Sequence, residues 1–112
     1  MKDIKATAVL GAGTMGAGIA QVFATAGLDV ALFDITEEFA LAGLKRIQSD
    51  LNQGVERGKV TTSERDATLA RIRPVWQLSS AAEQADLVVE AAPERLELKT
   101  QIFADLSPHL LA

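Results

Sequence analysis

The sequence predicts an α/β fold in which a mostly parallel, open sheet carries helices on its faces. Short apolar runs alternate with longer segments whose apolar residues recur at helical spacing, and this alternation is typical of such folds. A glycine-rich turn joins the first apolar run to the first helical segment. The 112 residues are 48% hydrophobic, which suits one domain with its own core. We therefore expect a doubly wound sheet whose first four strands have the order 3-2-1-4.

The first third of the chain predicts a strand, a glycine turn, a helix and a second strand. Residues 4–10 form a nearly unbroken apolar run, as in a strand that is buried on both faces. The predicted helix begins at Thr14 and ends at Gly27. Its apolar face consists of Ile19, Val22, Phe23 and Ala26. Residues 29–33 are the second strand, so this unit is a βαβ crossover, which we expect to be right-handed.

The middle of the chain predicts two helices that double back on each other. Thr36 is the expected N-cap of a long helix that has acidic residues in its first turn and ends near Gly58. Its apolar stripe consists of Leu44, Ile47, Leu51 and Val55. Thr61 and Glu64 have the spacing of a capping box, which predicts a second helix that includes Ile72 and is ended by Pro74.

The last third predicts two more strands and two more helices. Residues 74–78 form the third strand, where proline favours an edge strand or a first strand position. A capping-box spacing from Ser80 to Glu83 predicts a short helix, and residues 87–92 form the fourth strand. A final helix has an apolar face made of Leu98, Ile102, Phe103 and Leu106.

Composition excludes several classes of function. The formal net charge is -4, so a general attraction for nucleic acid or an anionic membrane is not expected. The chain has no cysteine, so it has neither a disulfide nor a thiolate metal site, and we predict no metal. The first residues lead from a short apolar run straight into glycines, unlike a signal peptide. We expect a cytoplasmic protein.

Gly11, Gly13 and Gly16 match the G-x-G-x-x-G spacing between a strand and a helix. Gly11 would allow the tight turn, Gly13 would let the main chain touch a pyrophosphate, and Gly16 would bring the helix close to the strand. The anion would sit on free N–H groups at the helix N-terminus, so Thr14 and Met15 join the candidate cofactor-binding residues. The alternative is a glycine-rich turn that binds no ligand.

Asp34 strengthens the prediction of a dinucleotide site. It closes the second strand about 20 residues after the glycines, the offset at which an acid accepts hydrogen bonds from the adenosine ribose. Its carboxylate would repel a 2′-phosphate, which favours NAD over NADP. The alternative role is to cap the helix after Thr36. These residues do not separate NAD from FAD.

Three segments together resemble a known family. VLGAGTMGAGIAQVFATAGLDVALFD, the helical pair running to ERDATLARIRP, and DLVVEAAPERLELK are similar to the N-terminal NAD-binding domain of the L-3-hydroxyacyl-CoA dehydrogenases, which include 3-hydroxybutyryl-CoA dehydrogenases. The resemblance covers essentially the whole chain. It implies a Rossmann-type sheet with an inserted long helical hairpin, over residues 1–112 and truncated before the sheet is complete, and it implies NAD as the cofactor.

The resemblance also assigns residues beyond the glycine motif. It implies that Ala91 and Ala92 line the nicotinamide half through main-chain atoms, with Glu94 and Lys99 beside them. It implies that Arg57, in a local basic cluster with Lys59 and Arg65, lies against the phosphates of coenzyme A. The alternatives are ordinary solvated helix residues, favoured at helix ends by the dipole.

By resemblance, the complete enzyme oxidises a (3S)-3-hydroxyacyl-CoA to the 3-oxoacyl-CoA in fatty acid β-oxidation, and it is a homodimer. The family's catalytic histidine–glutamate pair and its helical substrate and dimerisation domain come after residue 112, so no catalytic residue is assigned here. We expect His109 to be a surface residue and residues 1–112 alone to be inactive.

Three other functions stay open. The chain could be a nucleotide-binding sensor or regulatory module without chemistry of its own. It could be an interaction domain that pairs through an open sheet edge. It could also be the cofactor half of a related dehydrogenase that acts on a sugar acid or a carnitine-like alcohol.

Overall fold

The computed structural model describes residues 3–91, which form a four-stranded parallel sheet with helices on both faces. The strands have the order β3-β2-β1-β4, which confirms the predicted topology. The predicted final helix lies outside the described residues. The elements in chain order are β1 (Ala6–Leu10), α1 (Thr14–Thr25), β2 (Asp29–Phe33), α2 (Glu37–Glu56), α3 (Thr62–Ala70), β3 (Ile72–Val75), α4 (Leu78–Ala82) and β4 (Leu87–Glu90).

Two hydrophobic clusters lie on opposite faces of the sheet, because successive strand residues point to opposite sides. Val9 and Leu32 belong to the first cluster, with buried residues of α1 and α2. Leu10 and Phe33 belong to the second, which the short helix α4 covers. The central strands are therefore buried on both faces, as their apolar runs predicted. No helix within residues 3–91 is long and apolar enough to cross a membrane.

The predicted apolar face of α1 is wrong in part. Val22 is 66% exposed, and Ala26 is the exposed C-cap. Ile19 and Phe23 are partly buried beside the first cluster. The face against the sheet is instead made of small residues, Gly16, Ala17, Ala20 and Ala24. Small side chains let α1 approach β1 closely. This close packing outweighs the free energy that burial of a larger side chain, such as that of Val22, would contribute.

The helices α1 and α2 end in the same glycine motif. Gly27 has φ 96° and Gly58 has φ 72°, a region that glycine adopts without a steric cost. The N–H groups of Gly58 and Lys59 donate to the carbonyls of Val55 and Gly54. This is the Schellman pattern, which satisfies the last carbonyls of a helix. Both predicted helix ends are confirmed.

The caps of the helical pair are confirmed as well. The Thr36 hydroxyl accepts from the Phe39 N–H at 3.1 Å, and Thr61 and Glu64 form the reciprocal bonds of a capping box. The helix α3 packs against α2. The stripe predicted for α2 is corrected in part, since its buried residues are Ala40, Gly43, Ile47 and Leu51, whereas Leu44 and Val55 are half-buried.

The third strand begins earlier than predicted, at Ile72, which belongs to β3 and not to α3. Pro74 lies inside this edge strand. The Val30 N–H in β2 donates to the carbonyl of Arg71, just before β3, and the Asp34 N–H donates to the carbonyl of Val75. Every second residue along this segment bonds to β2, and Pro74 is one of the residues between them. A proline at the intervening position removes no bond from the ladder.

The last two predicted boundaries also shift. The helix α4 begins at Leu78 after Gln77, with no side-chain cap, so the predicted start at Ser80 is wrong. Burial of Ala81 and Ala82 against the second face decides its position. The strand β4 ends at Glu90, although the Ala91 N–H still donates to the Leu10 carbonyl at 2.8 Å.

Candidate functional site

The carboxyl ends of β1, β2 and β4 bring the glycine turn, Asp34 and Ala91 to one edge of the sheet. The Gly11 N–H donates to the Phe33 carbonyl at 2.8 Å, which holds the start of the turn against β2. Ala91 is buried and follows β4 on the other side of β1. The strands β2 and β3 lie on one side of β1 and β4 lies on the other, so the strand order reverses at β1. Open α/β sheets bind ligands beyond the carboxyl ends of the strands at such a point.

Gly11 and Gly16 are required by the shape of the turn. Gly11 has φ 106°, a conformation that strains any other residue. A Cβ atom on Gly16 would overlap the Gly11 carbonyl oxygen and lie 3.5 Å from the Ala91 Cβ. The predicted roles of these two glycines in the turn and in close packing therefore agree with the geometry.

Gly13 differs from these two glycines, because the fold itself does not require a glycine at this position. It is the N-cap of α1, with ordinary extended angles of φ -73° and ψ -167°. A Cβ atom there would meet nothing within 4 Å, so the space above the helix N-terminus is open. No side chain among residues 3–91 caps this helix, and its first turn holds no acid. The first N–H groups of a helix lack intrahelical partners, so this end of α1 suits an anion.

Asp34 points at the glycine turn. Its Oδ2 accepts from the Ala12 N–H at 2.9 Å, and its Oδ1 accepts from the Ile35 N–H at 2.7 Å. The alternative role as a cap of α2 is wrong, because Thr36 is the N-cap of that helix. Each carboxylate oxygen keeps acceptor capacity for a ligand hydroxyl.

Gly43 of α2 supports the turn from behind. A Cβ atom on Gly43 would lie 2.6 Å from the Ala12 Cβ and 2.7 Å from the Ala12 carbonyl oxygen. Such distances mean that α2 packs on the turn with almost no gap. The role of this residue was not predicted from the sequence. The available signal was a glycine inside a long helix, which lowers helix propensity and so indicates a packing reason.

Arg46 of α2 reaches the N-terminus of α1. Its Nη1 donates to the Thr14 Oγ1 at 3.3 Å, between two exposed side chains. This contact was not predicted from the sequence either, because no local pattern links residues 32 positions apart. Thr14 and Met15 are themselves exposed at the mouth of the turn, as expected for residues that present N–H groups to a ligand.

Arg57 and the other residues of its basic cluster lie away from this site. Arg57 is the exposed C-cap of α2, about 21 Å along the helix from Gly43 at 1.5 Å per residue. Arg65, from the same basic cluster, bonds to Asp66 at 3.0 Å. Residues 3–91 contain no group of acidic or histidine side chains able to hold a metal. The predicted positions Ala92, Glu94, Lys99 and His109 lie outside the described residues.

The comparisons with known proteins agree with this geometry. Residues 6–111 match the model of the family described as 3-hydroxyacyl-CoA dehydrogenase, NAD binding domain. A 3-hydroxyadipyl-CoA dehydrogenase of Escherichia coli is 46% identical over 107 residues, covering 96% of this chain and 22% of that protein. A 3-hydroxybutyryl-CoA dehydrogenase of Mycobacterium tuberculosis is 41% identical over 103 residues, covering 92% and 36%.

Solved structures show the same similarity. A crystal structure of 3-hydroxybutyryl-CoA dehydrogenase from Escherichia coli K12 superimposes with a TM-score of 0.89 at 44% identity. The match covers 96% of this chain and 23% of that one. The chain therefore spans well under half the length of the relatives that it matches.

Proposed function

The chain belongs to the family of 3-hydroxyacyl-CoA dehydrogenase NAD-binding domains, and from this premise we propose that the full-length protein oxidises a (3S)-3-hydroxyacyl-CoA to the 3-oxoacyl-CoA. NAD, when bound, accepts the hydride in such a reaction. The observation that carries the proposal is the open space above Gly13, bordered by the uncapped N-terminus of α1 and by Asp34.

The glycine turn would hold the diphosphate through main-chain N–H groups. Thr14 and Met15 supply the first such groups of α1, and the helix dipole favours negative charge at the same point. Gly13 keeps the space free of a side chain, and Gly16 lets α1 begin this close to β1. The turn is bonded to its neighbours through Gly11 and Ala12, so little rearrangement is needed when the anion binds.

Asp34 would accept hydrogen bonds from the adenosine ribose hydroxyls. Both carboxylate oxygens already accept one main-chain N–H each, which fixes the side chain in place. A 2′-phosphate at this position would meet a fixed negative charge, so the site selects NAD over NADP.

Our other assignments concern the complete protein. Ala91, Ala92, Glu94 and Lys99 are proposed to line the nicotinamide half, and Arg57 is proposed to contact the coenzyme A phosphates. We further propose a homodimer, a role in β-oxidation and a cytoplasmic location. The family resemblance supports these assignments, with the composition supporting the location.

The test is a pair of measurements on the full-length protein. Calorimetry should show NAD binding that Asp34→Ala weakens and that Glu83→Ala, an exposed acid after α4, leaves unchanged. NADH absorbance should rise on addition of (S)-3-hydroxybutyryl-CoA and NAD. NAD binding without turnover of short, medium or long acyl chains would favour the non-catalytic binding module instead. Absence of NAD binding would contradict the proposal as a whole.

A further inference from the structure

The helix α2 is held against the glycine turn at one point along its length. Gly43 permits the contact, with the Ala12 carbonyl oxygen and the Leu32 Cδ2 lying 2.7 Å and 3.1 Å from where its Cβ would be. Arg46 follows three residues later, on the same side of the helix. The close approach at Gly43 therefore sets the distance between the backbone of α2 at Arg46 and the N-terminus of α1.

The contact that Arg46 makes leaves most of its capacity unused. The Nη1–Oγ1 distance to Thr14 is 3.3 Å, which is long, and the acceptor is neutral. A guanidinium has five N–H donors. Among residues 3–91 its bonded partner is the Thr14 hydroxyl and not a carboxylate. Asp50, one turn further along α2, accepts from Gln21 at 2.7 Å instead.

Arg46 adds positive charge at the N-terminus of α1. The N-terminus of a helix carries partial positive charge, and α1 has no acid in its first turn to balance it. A guanidinium beside Thr14 adds a second positive charge at the same end. A bound anion would remove this repulsion, because it would lie between the helix N-terminus and the cation.

We propose that Arg46 is a further binding residue of the cofactor site, where its guanidinium contacts the diphosphate of NAD beside the glycine turn. This inference rests on the proposed function, because it needs NAD at that turn. The residue acts in binding alone and takes no part in hydride or proton transfer. Guanidinium groups suit phosphate because their planar donors match its oxygens.

Arg46→Gln tests the proposal in the full-length protein. We expect this variant to bind NAD about tenfold more weakly, as for a lost hydrogen bond to a charged group. The loss should shrink as the salt concentration rises, because exposed charges are screened. Arg46→Lys should recover part of the affinity. The matched control is Lys45→Gln, which removes the same charge from the neighbouring position of α2 and should bind NAD like the unaltered protein.

Four ligands, namely NAD, ADP, coenzyme A and NADP, show which phosphate group Arg46 contacts. Weaker binding of both NAD and ADP by Arg46→Gln, with unchanged thermal unfolding, supports the proposal. Weaker binding of coenzyme A alone, or of NADP alone, would overturn it, and so would equal NAD affinity in Arg46→Gln and Lys45→Gln. If the unaltered protein binds NAD and Arg46→Gln binds it equally well, only this inference fails. If the unaltered protein binds no NAD, the proposed function fails with it.

Discussion

The carboxylate of Asp34 accepts a hydrogen bond from the N–H of Ala12 at 2.9 Å, which ties the end of β2 to the glycine turn after β1. The carboxylate proposed to bind the adenosine ribose therefore also supports the glycine turn proposed to bind the diphosphate. A change at Asp34 should act on both parts of the cofactor site.

Asp34→Asn and Asp34→Ala should separate these two roles. The asparagine keeps an oxygen that can accept from Ala12 but loses the charge that repels a 2′-phosphate. We expect Asp34→Asn to relax discrimination against NADP with a modest loss of NAD affinity, and Asp34→Ala to lose more NAD affinity. Steady-state kinetics with both cofactors measure the effect. If the two variants and the unaltered protein have the same preference for NAD over NADP, Asp34 does not contact the cofactor.

Gly13→Ala should leave the fold intact and block the ligand. A Cβ at Gly13 meets no protein atom within 4 Å and the backbone angles suit alanine, so we expect the free energy of unfolding to change by less than about 1 kcal/mol. The same Cβ occupies the space proposed for the diphosphate, so NAD affinity should fall at least about tenfold. Urea unfolding and calorimetry on one sample measure both quantities. Unchanged NAD affinity would show that the diphosphate lies elsewhere.

Gly43→Ala should disturb the turn from behind. The added Cβ would overlap Ala12, and overpacking of this kind costs about 1 to 3 kcal/mol. NAD affinity should fall as well, because the displaced residue lies between Gly11 and Gly13. The matched control is Gly18→Ala in α1, where a Cβ meets nothing, and which should stabilise the helix by about 0.5 to 1 kcal/mol. Equal behaviour of the two variants in urea would contradict this reading of the packing.

Glu64 should make the capping box of α3 depend on pH. The Thr61 N–H, followed by the Thr61 hydroxyl, lowers the pKa of Glu64 below its ordinary value because both bonds favour the charged carboxylate. A lowered pKa in the folded state contributes stability that is present above the ordinary pKa and lost as the pH falls through the folded value. The urea midpoints of the unaltered protein and Glu64→Gln should therefore differ near pH 7 and converge as the pH falls below the folded pKa of Glu64. A difference that grows in acid would contradict the assignment.

Most signals that act within a few residues were predicted correctly from the sequence, the capping-box spacing at Ser80 being an exception. The caps at Thr36 and Thr61 and the helix ends at Gly27 and Gly58 each depend on one residue and its immediate neighbours. The glycine motif belongs with them, because Gly11 is required by its own backbone angle. Such features follow from local sterics and hydrogen bonding, so the order of elements could be predicted. The strand order was predicted instead from the arrangement that is typical of dinucleotide-binding sheets.

Features decided by packing were predicted less well. The sequence places Val22 on the apolar face of α1, whereas close approach to the sheet buries Ala20 and Ala24 instead. The strand β3 starts at Ile72 because β2 offers partners there, and α4 starts at Leu78 because Ala81 and Ala82 must cover the second face. In each case a local sequence pattern predicted a different boundary or face, and burial or strand pairing outweighed that pattern.

The sequence by itself determined the βαβ order, the helix caps at Thr36 and Thr61 and the glycine turn that precedes α1. The tertiary structure alone decided that Gly43 supports Ala12 and that Arg46 meets Thr14, because these pairs are 31 and 32 residues apart. Periodicity and spacing report neighbours along one element, whereas the distance between two helices depends on how both pack on the sheet.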